Sequence, residues 1–222
     1  MLTKLAVNVP VFLLSQAVSN LPEFDDRFCL NEPTGDFFYS EWKIKKQFQN
    51  TTLGNILNSL PFPIGEARVI KLEPGENYLS HADIDDRWHL TLSGANCFLI
   101  DLDNKKMYPT LPDGHWYEMD AGRLHTAANF GSTTRYQLVV RKPLTRTCFT
   151  DTIKVTIEPI EERHDYRYHF DNVFSPWLNQ KNKQGLMKDF KHDGRSVSFS
   201  IHKSQKKQLE KIAENDFKVT YE

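Results

Sequence analysis

The run Trp88-His89-Leu90-Thr91-Leu92, the break at Gly94, the run Cys97-Phe98-Leu99-Ile100-Asp101-Leu102 and the break at Asp103-Asn104 decide how this chain folds. Each run is short, apolar at alternate positions and bounded by turn residues. That is the pattern of two strands and not of an amphipathic helix. The same pattern continues on both sides. Val69 to Leu72 and Tyr78 to Asp83 precede it, and His115 to Met119, Leu124 to Asn129 and Tyr136 to Val140 follow. Pro74-Gly75, Pro112-Asp113-Gly114, Gly122 and Gly131 separate them. Strands at intervals of roughly ten residues with no helix between them predict a mainly β fold, a double-stranded β-helix or jelly roll of cupin-like type, over residues 1–143.

Flanking helices are expected around it. Leu53, Ile56, Leu57 and Leu60 follow helical spacing, with Thr51 or Thr52 as cap and Pro61 as stop. The apolar run Leu5 to Leu14 is interrupted by Asn8 and Pro10 and lacks a small-residue cleavage pattern. It reads as a strand entering the core, not as a signal peptide. Residues 144–222 predict a small α+β extension to which the sequence assigns no role: a strand over Thr152 to Ile157, a helix across Asn172 to Phe190, a strand over Val197 to Ile201, a Ser204-capped helix and a strand over Phe217 to Tyr221.

A net charge of -1 gives no electrostatic footprint for nucleic acid or an anionic membrane. No apolar stretch approaches the roughly twenty residues of a membrane span. Cys29, Cys97 and Cys148 are odd in number and widely spaced. They read as reduced thiols of a cytoplasmic protein.

Chemistry concentrates in His81-Ala82-Asp83 and in His125. If residues 81–83 are a strand, His81 and Asp83 share a face and reach one ion together, with His125 closing the site. Two imidazoles and a carboxylate leave the opposite coordination positions open, which suits non-heme Fe(II) activating O2. Asp85 is a fallback ligand, although Asp85 and Asp86 otherwise read as solvated turn residues.

His81-x-Asp83, Arg87-x-His89-Leu90, and His125 followed ten residues later by Arg135 together resemble the aspartyl/asparaginyl β-hydroxylase family of Fe(II)/2-oxoglutarate oxygenases, over roughly Leu57 to Arg141. The namesake of that family lacks the metal-binding carboxylate. Asp83 therefore makes this chain look more like the branch that hydroxylates free amino acids such as proline. The resemblance implies Fe(II) held by His81, Asp83 and His125, 2-oxoglutarate gripped by Arg135 with Arg87 and His89 lining its pocket, and O2 as second cosubstrate. It further implies hydroxylation of an amino acid, or of a residue in a peptide or protein, with release of succinate and CO2. Arg68 and Arg123 are candidate substrate contacts.

Two other readings compete. Arg135 and Arg141 lie six apart, as in the nucleic-acid demethylases of the same superfamily, but the chain has no basic excess. A metal-binding cupin without oxygen chemistry would have no need of a fixed dicarboxylate clamp at Arg135. Of the remaining groups, His164, Tyr166, Tyr168 and His169 read as a charged loop. His115-Trp116 reads as cover for the barrel edge, and Lys203, Lys206, Lys207 and Lys211 as a solvated helix face.

Overall fold

A computed structural model describes residues 1–160, 170–213 and 216–222. The chain divides into two compact units, Met1–Ser80 with Asp85–Pro143, and Leu144–Glu222 with His81–Ile84.

The first unit contains β1 (Leu2–Asn8), α1 (Val11–Ser19), β2 (Arg27–Cys29), β3 (Asn31–Pro33), β4 (Trp42–Ile44), α2 (Thr52–Leu57), β5 (Ala67–Leu72), β6 (Arg87–Ser93), β7 (Cys97–Asp101), β8 (Lys106–Pro109), β9 (His115–Met119), β10 (His125–Asn129) and β11 (Arg135–Arg141). Antiparallel pairing builds a six-stranded sheet in the order β1-β9-β6-β11-β5-β2 and a three-stranded sheet in the order β10-β7-β8. The chain crosses between the two sheets after β6, β8, β9 and β10, and Leu99, Met119, Ala121 and Ala127 pack together with Tyr78 to join them. This is a jelly roll, mainly β and cupin-like, with flanking helices.

The main core lies on the other face of the large sheet. Leu138 and Val140 of β11, Leu90 and Leu92 of β6, Val69 of β5 and Trp116 of β9 meet Leu14 and Ala17 of α1 and Leu53, Ile56 and Leu57 of α2. Alternation along β11 then puts Arg135, Gln137, Val139 and Arg141 on the opposite face, toward the small sheet. Cross-strand register adds Arg87, His89 and Thr91 of β6 and Arg68 of β5 to that inner face. At the turn after β6, Gly94 has φ +119, and a Cβ there would meet the Cα of Arg135 at 3.1 Å. Only glycine fits this close approach.

Some local expectations change. Val11–Ser19 is a helix that starts after Pro10, because the proline ends β1 and only Leu14 and Ala17 need burial. Tyr78 to Asp83 is not a regular strand: isolated bridge positions stand at Asn77, opposite Ala128, and at His81, the Tyr78 N–H donates to the Ala127 carbonyl, and Leu79 beyond is 85% exposed. Trp116 lies in the main core, donating from Nε1 to Ser59 Oγ at 3.0 Å, and does not cover a barrel edge.

The second unit holds a four-stranded antiparallel sheet, β13-β14-β12-β15, made from β12 (Thr152–Pro159), β13 (Met187–His192), β14 (Val197–His202) and β15 (Phe217–Tyr221). A π-helical turn over Phe170–Phe174 leads into α3 (Ser175–Lys183), and α4 (Lys206–Ala213) precedes β15. The Ala82 N–H donates to the Asp171 carbonyl at 3.0 Å. The helix expected across Asn172 to Phe190 stops at Lys183, and Gly185 at φ +69 turns the chain into β13. Leu186 and Phe190, four apart, fit either period. His202, not Ser204, caps the turn before α4, its side chain accepting from the Ser204 N–H. His164, Tyr166, Tyr168 and His169 lie outside the described residues. Among the described residues, no helix is long and apolar enough to cross a membrane.

Candidate metal centre

His125 enters the site from the first position of β10, buried, with Asp101 of β7 opposite it in register. Its Nδ1 lies 2.7 Å from the Arg123 carbonyl. A carbonyl only accepts, so Nδ1 carries the proton and Nε2 keeps its lone pair. This is the tautomer that metal-ligating imidazoles adopt when a backbone oxygen orients them. His81 and Asp83 stand on the loop between β5 and β6, with His81 Nε2 3.9 Å from Asp83 Oδ2. One ligand atom from each of His81, Asp83 and His125 can be chosen so that all three lie within 4.8 Å of one another. Two neutral imidazoles and a carboxylate at that spacing can hold a divalent cation, the carboxylate cancelling one of its charges.

Arg135 is the second chemical feature. It is 2% exposed. One Nη donates to Gln137 Oε1 at 2.6 Å, and Thr91 Oγ1 donates to the same oxygen at 3.2 Å. Its Nε has no hydrogen-bond partner, and no carboxylate pairs with it among the described residues. Burial pulls its pKa below the ordinary guanidinium value, with Tyr78 and Cys97 partly opposing that. A buried cation bonded to a neutral amide oxygen is incompletely compensated, and a planar guanidinium with spare donors matches a carboxylate.

Arg87 is buried, and its Nε donates to Asp85 Oδ1 at 3.0 Å. His89 lies two residues further along β6 on the same inner face. Arg68 pairs with Glu66 at 3.3 Å. Arg123 pairs with Asp120 at 2.9 Å, which raises its pKa, and contributes to the site through its carbonyl. Asp85 departs from expectation. It is 2% exposed and not a solvated turn residue, because Arg87 and Arg141 both bind its carboxylate. Asp86 accepts from the Ala121 N–H at 3.3 Å. The pattern Asp85-x-Arg87 at the start of an otherwise apolar strand is the signal that could have revealed this pairing. Strand alternation alone puts Gln137 on the face of Arg135, whereas Tyr78, also placed near Arg135, left no comparable mark in the sequence.

No protein-family model matches the chain, and no curated protein matches it. Among solved structures it is similar to a sugar phosphate isomerase from the cupin superfamily of Silicibacter pomeroyi DSS-3, at 25% identity and TM-score 0.30, over 40% of this chain and 53% of that one. It is also similar to CapF with the inhibitor 3-isopropenyl-tropolone, at 16% identity and TM-score 0.31, over 52% of this chain and 31% of that one. A third similarity is to the Drosophila melanogaster CENP-C cupin domain, at 12% identity and TM-score 0.31, over 60% of this chain and 92% of that domain. The chain thus spans about half the length of the isomerase and about a third of CapF.

Proposed function

We propose that this chain is an Fe(II)- and 2-oxoglutarate-dependent oxygenase that hydroxylates an amino acid or an amino-acid residue of a peptide or protein. The observation that carries the proposal beyond metal binding is Arg135, a buried guanidinium without a carboxylate partner among the described residues, on the inner face of a jelly roll that also bears a two-histidine, one-carboxylate set. His81, Asp83 and His125 would hold the iron. Arg135 would take the far carboxylate of 2-oxoglutarate, and His89 would line the same space. Bound iron with 2-oxoglutarate and O2 would supply the oxidation, yielding succinate, CO2 and a hydroxylated product. The protein's part is to hold the donors, to orient the diacid through a planar fork and to keep its surroundings dry. Arg141 is committed to Asp85, which removes support from the demethylase reading that rests on Arg135 and Arg141 together.

The test is thermal denaturation with Mn(II) and 2-oxoglutarate, added singly and together, followed by succinate release with Fe(II) during a screen of amino acids and short peptides. Stabilisation by the diacid in the presence of metal is expected from ligand linkage, and Asp83→Ala should abolish succinate formation. Stabilisation by metal alone, indifferent to the diacid, would favour a cupin without oxygen chemistry.

A further inference from the structure

The loop that carries His81 and Asp83 is bonded in its middle, where the Ala82 N–H donates to the Asp171 carbonyl, and at both ends. At the entry, the Tyr78 carbonyl accepts from Thr126 Oγ1 at 2.6 Å and the Tyr78 hydroxyl donates to the Lys71 carbonyl at 3.2 Å. At the exit, two residues after Asp83, the carboxylate of Asp85 is gripped from two strands. Arg87 Nε reaches Oδ1, while Arg141 donates to Oδ2 from Nε at 2.6 Å and also from Nη2. Arg141 is itself fixed, its guanidinium carbon 4.6 Å from the ring centre of Phe37 and 4.7 Å from that of Phe38. The backbone is bonded as well: the Lys142 N–H donates to the Asp86 carbonyl and the Arg141 N–H to the Glu66 carbonyl, both at 2.9 Å.

We infer that Asp85, clamped by Arg87 and Arg141, is the positioning residue of the metal-ligand loop, setting the direction from which Asp83 and His81 present their donors. Its carboxylate is turned to the two guanidinium groups, and among the described residues the side chains close enough to share an ion are His81, Asp83 and His125. Arg87 accordingly acts through Asp85 and not chiefly on a cosubstrate. Metal sites lose affinity by roughly ten- to a hundredfold when a group that orients a ligand is removed. This inference rests on the proposal that the triad holds a metal.

The experiment measures Mn(II) binding by titration calorimetry for the wild type, His81→Ala and Asp85→Asn, well below each protein's melting temperature, with folding checked by circular dichroism. His81→Ala tests the metal site itself: wild-type binding that this variant removes is expected, and absent wild-type binding overturns the metal reading. Asp85→Asn keeps the size of the side chain but loses the charge that holds two arginines. It is expected to weaken Mn(II) binding at least tenfold while remaining folded, and Asp85→Glu is expected to restore part of the loss. Wild-type affinity in a folded Asp85→Asn, whatever its melting temperature, overturns the inference and leaves the metal reading standing. If Asp85→Asn does not fold, Arg87→Lys carries the same comparison, since it keeps the charge and loses the Nε donor to Asp85. Unchanged Mn(II) affinity in that variant would then overturn the inference.

Discussion

Along β11 the two faces of one strand do different work. Leu138 and Val140 point into an apolar core shared with α1 and α2, while Arg135, Gln137 and Arg141, equally buried, point the other way. The first face gains its free energy from area removed from water and needs no particular partner. The second is polar and out of water, so each group on it needs a specific partner. Arg141 has its partner in Asp85, whereas Arg135 has only the Gln137 amide oxygen. The contrast teaches that the fold is maintained by one face and that the other is where an outside anion would matter.

The largest effect should come from the apolar face. Leu138 is fully buried, so Leu138→Ala should cost about 2–5 kcal/mol in urea denaturation, and a loss under 1 kcal/mol would break the assignment of that face to the core. On the opposite face Arg135→Met should behave differently. Its stability without ligand should hold or rise, because an incompletely paired buried charge is removed. The stabilisation that wild type gains from metal and 2-oxoglutarate, about 2.7 kcal/mol at a hundredfold excess over Kd, should lose its 2-oxoglutarate share. Retained sensitivity to the diacid would detach Arg135 from the proposed function.

Much of this division was legible in the sequence, for a physical reason. Period-two runs such as His115–Met119 report burial directly, and β9 has those bounds. The apolar run after Pro10 fits either period over so few residues, and β8, four residues with little burial, left no signal. At the candidate site, spacing pointed to His81, Asp83 and His125 as a set through a strand that is not there. A loop fixed at Tyr78 and Asp85 carries the first two. The pairing of Asp85 with Arg141, 56 residues on, could not be read locally, because it depends on strands brought together by the fold.

Two smaller effects are expected. Thr51 caps α2, which packs on the apolar face, by accepting from the Gly54 N–H at 3.2 Å. Thr51→Ala should cost about 1 kcal/mol in the same urea experiment. Tyr117 belongs to the inner face, opposite His89. Burial, then the hydrogen bond it donates to Asp113, pushes its pKa from 10.0 up to about 12. Its neutral form is favoured in the fold, so the contribution is complete below pH 10 and is lost as pH rises toward 12. Tyr117→Phe should therefore flatten that part of the stability profile, and an unchanged slope would remove Tyr117 as its source.

The strand register also constrains the order in which a chain can acquire this shape. Leu2 of β1 pairs with Met119 of β9, so the first strand of the chain must wait for a partner made much later in synthesis. Such distant closure slows refolding toward the millisecond-to-second range of β-rich domains. Since β9 pairs with β1 on one side and β6 on the other, a chain with β1 undocked would present an open edge to other copies. Dilute conditions should therefore favour recovery of the native protein from denaturant.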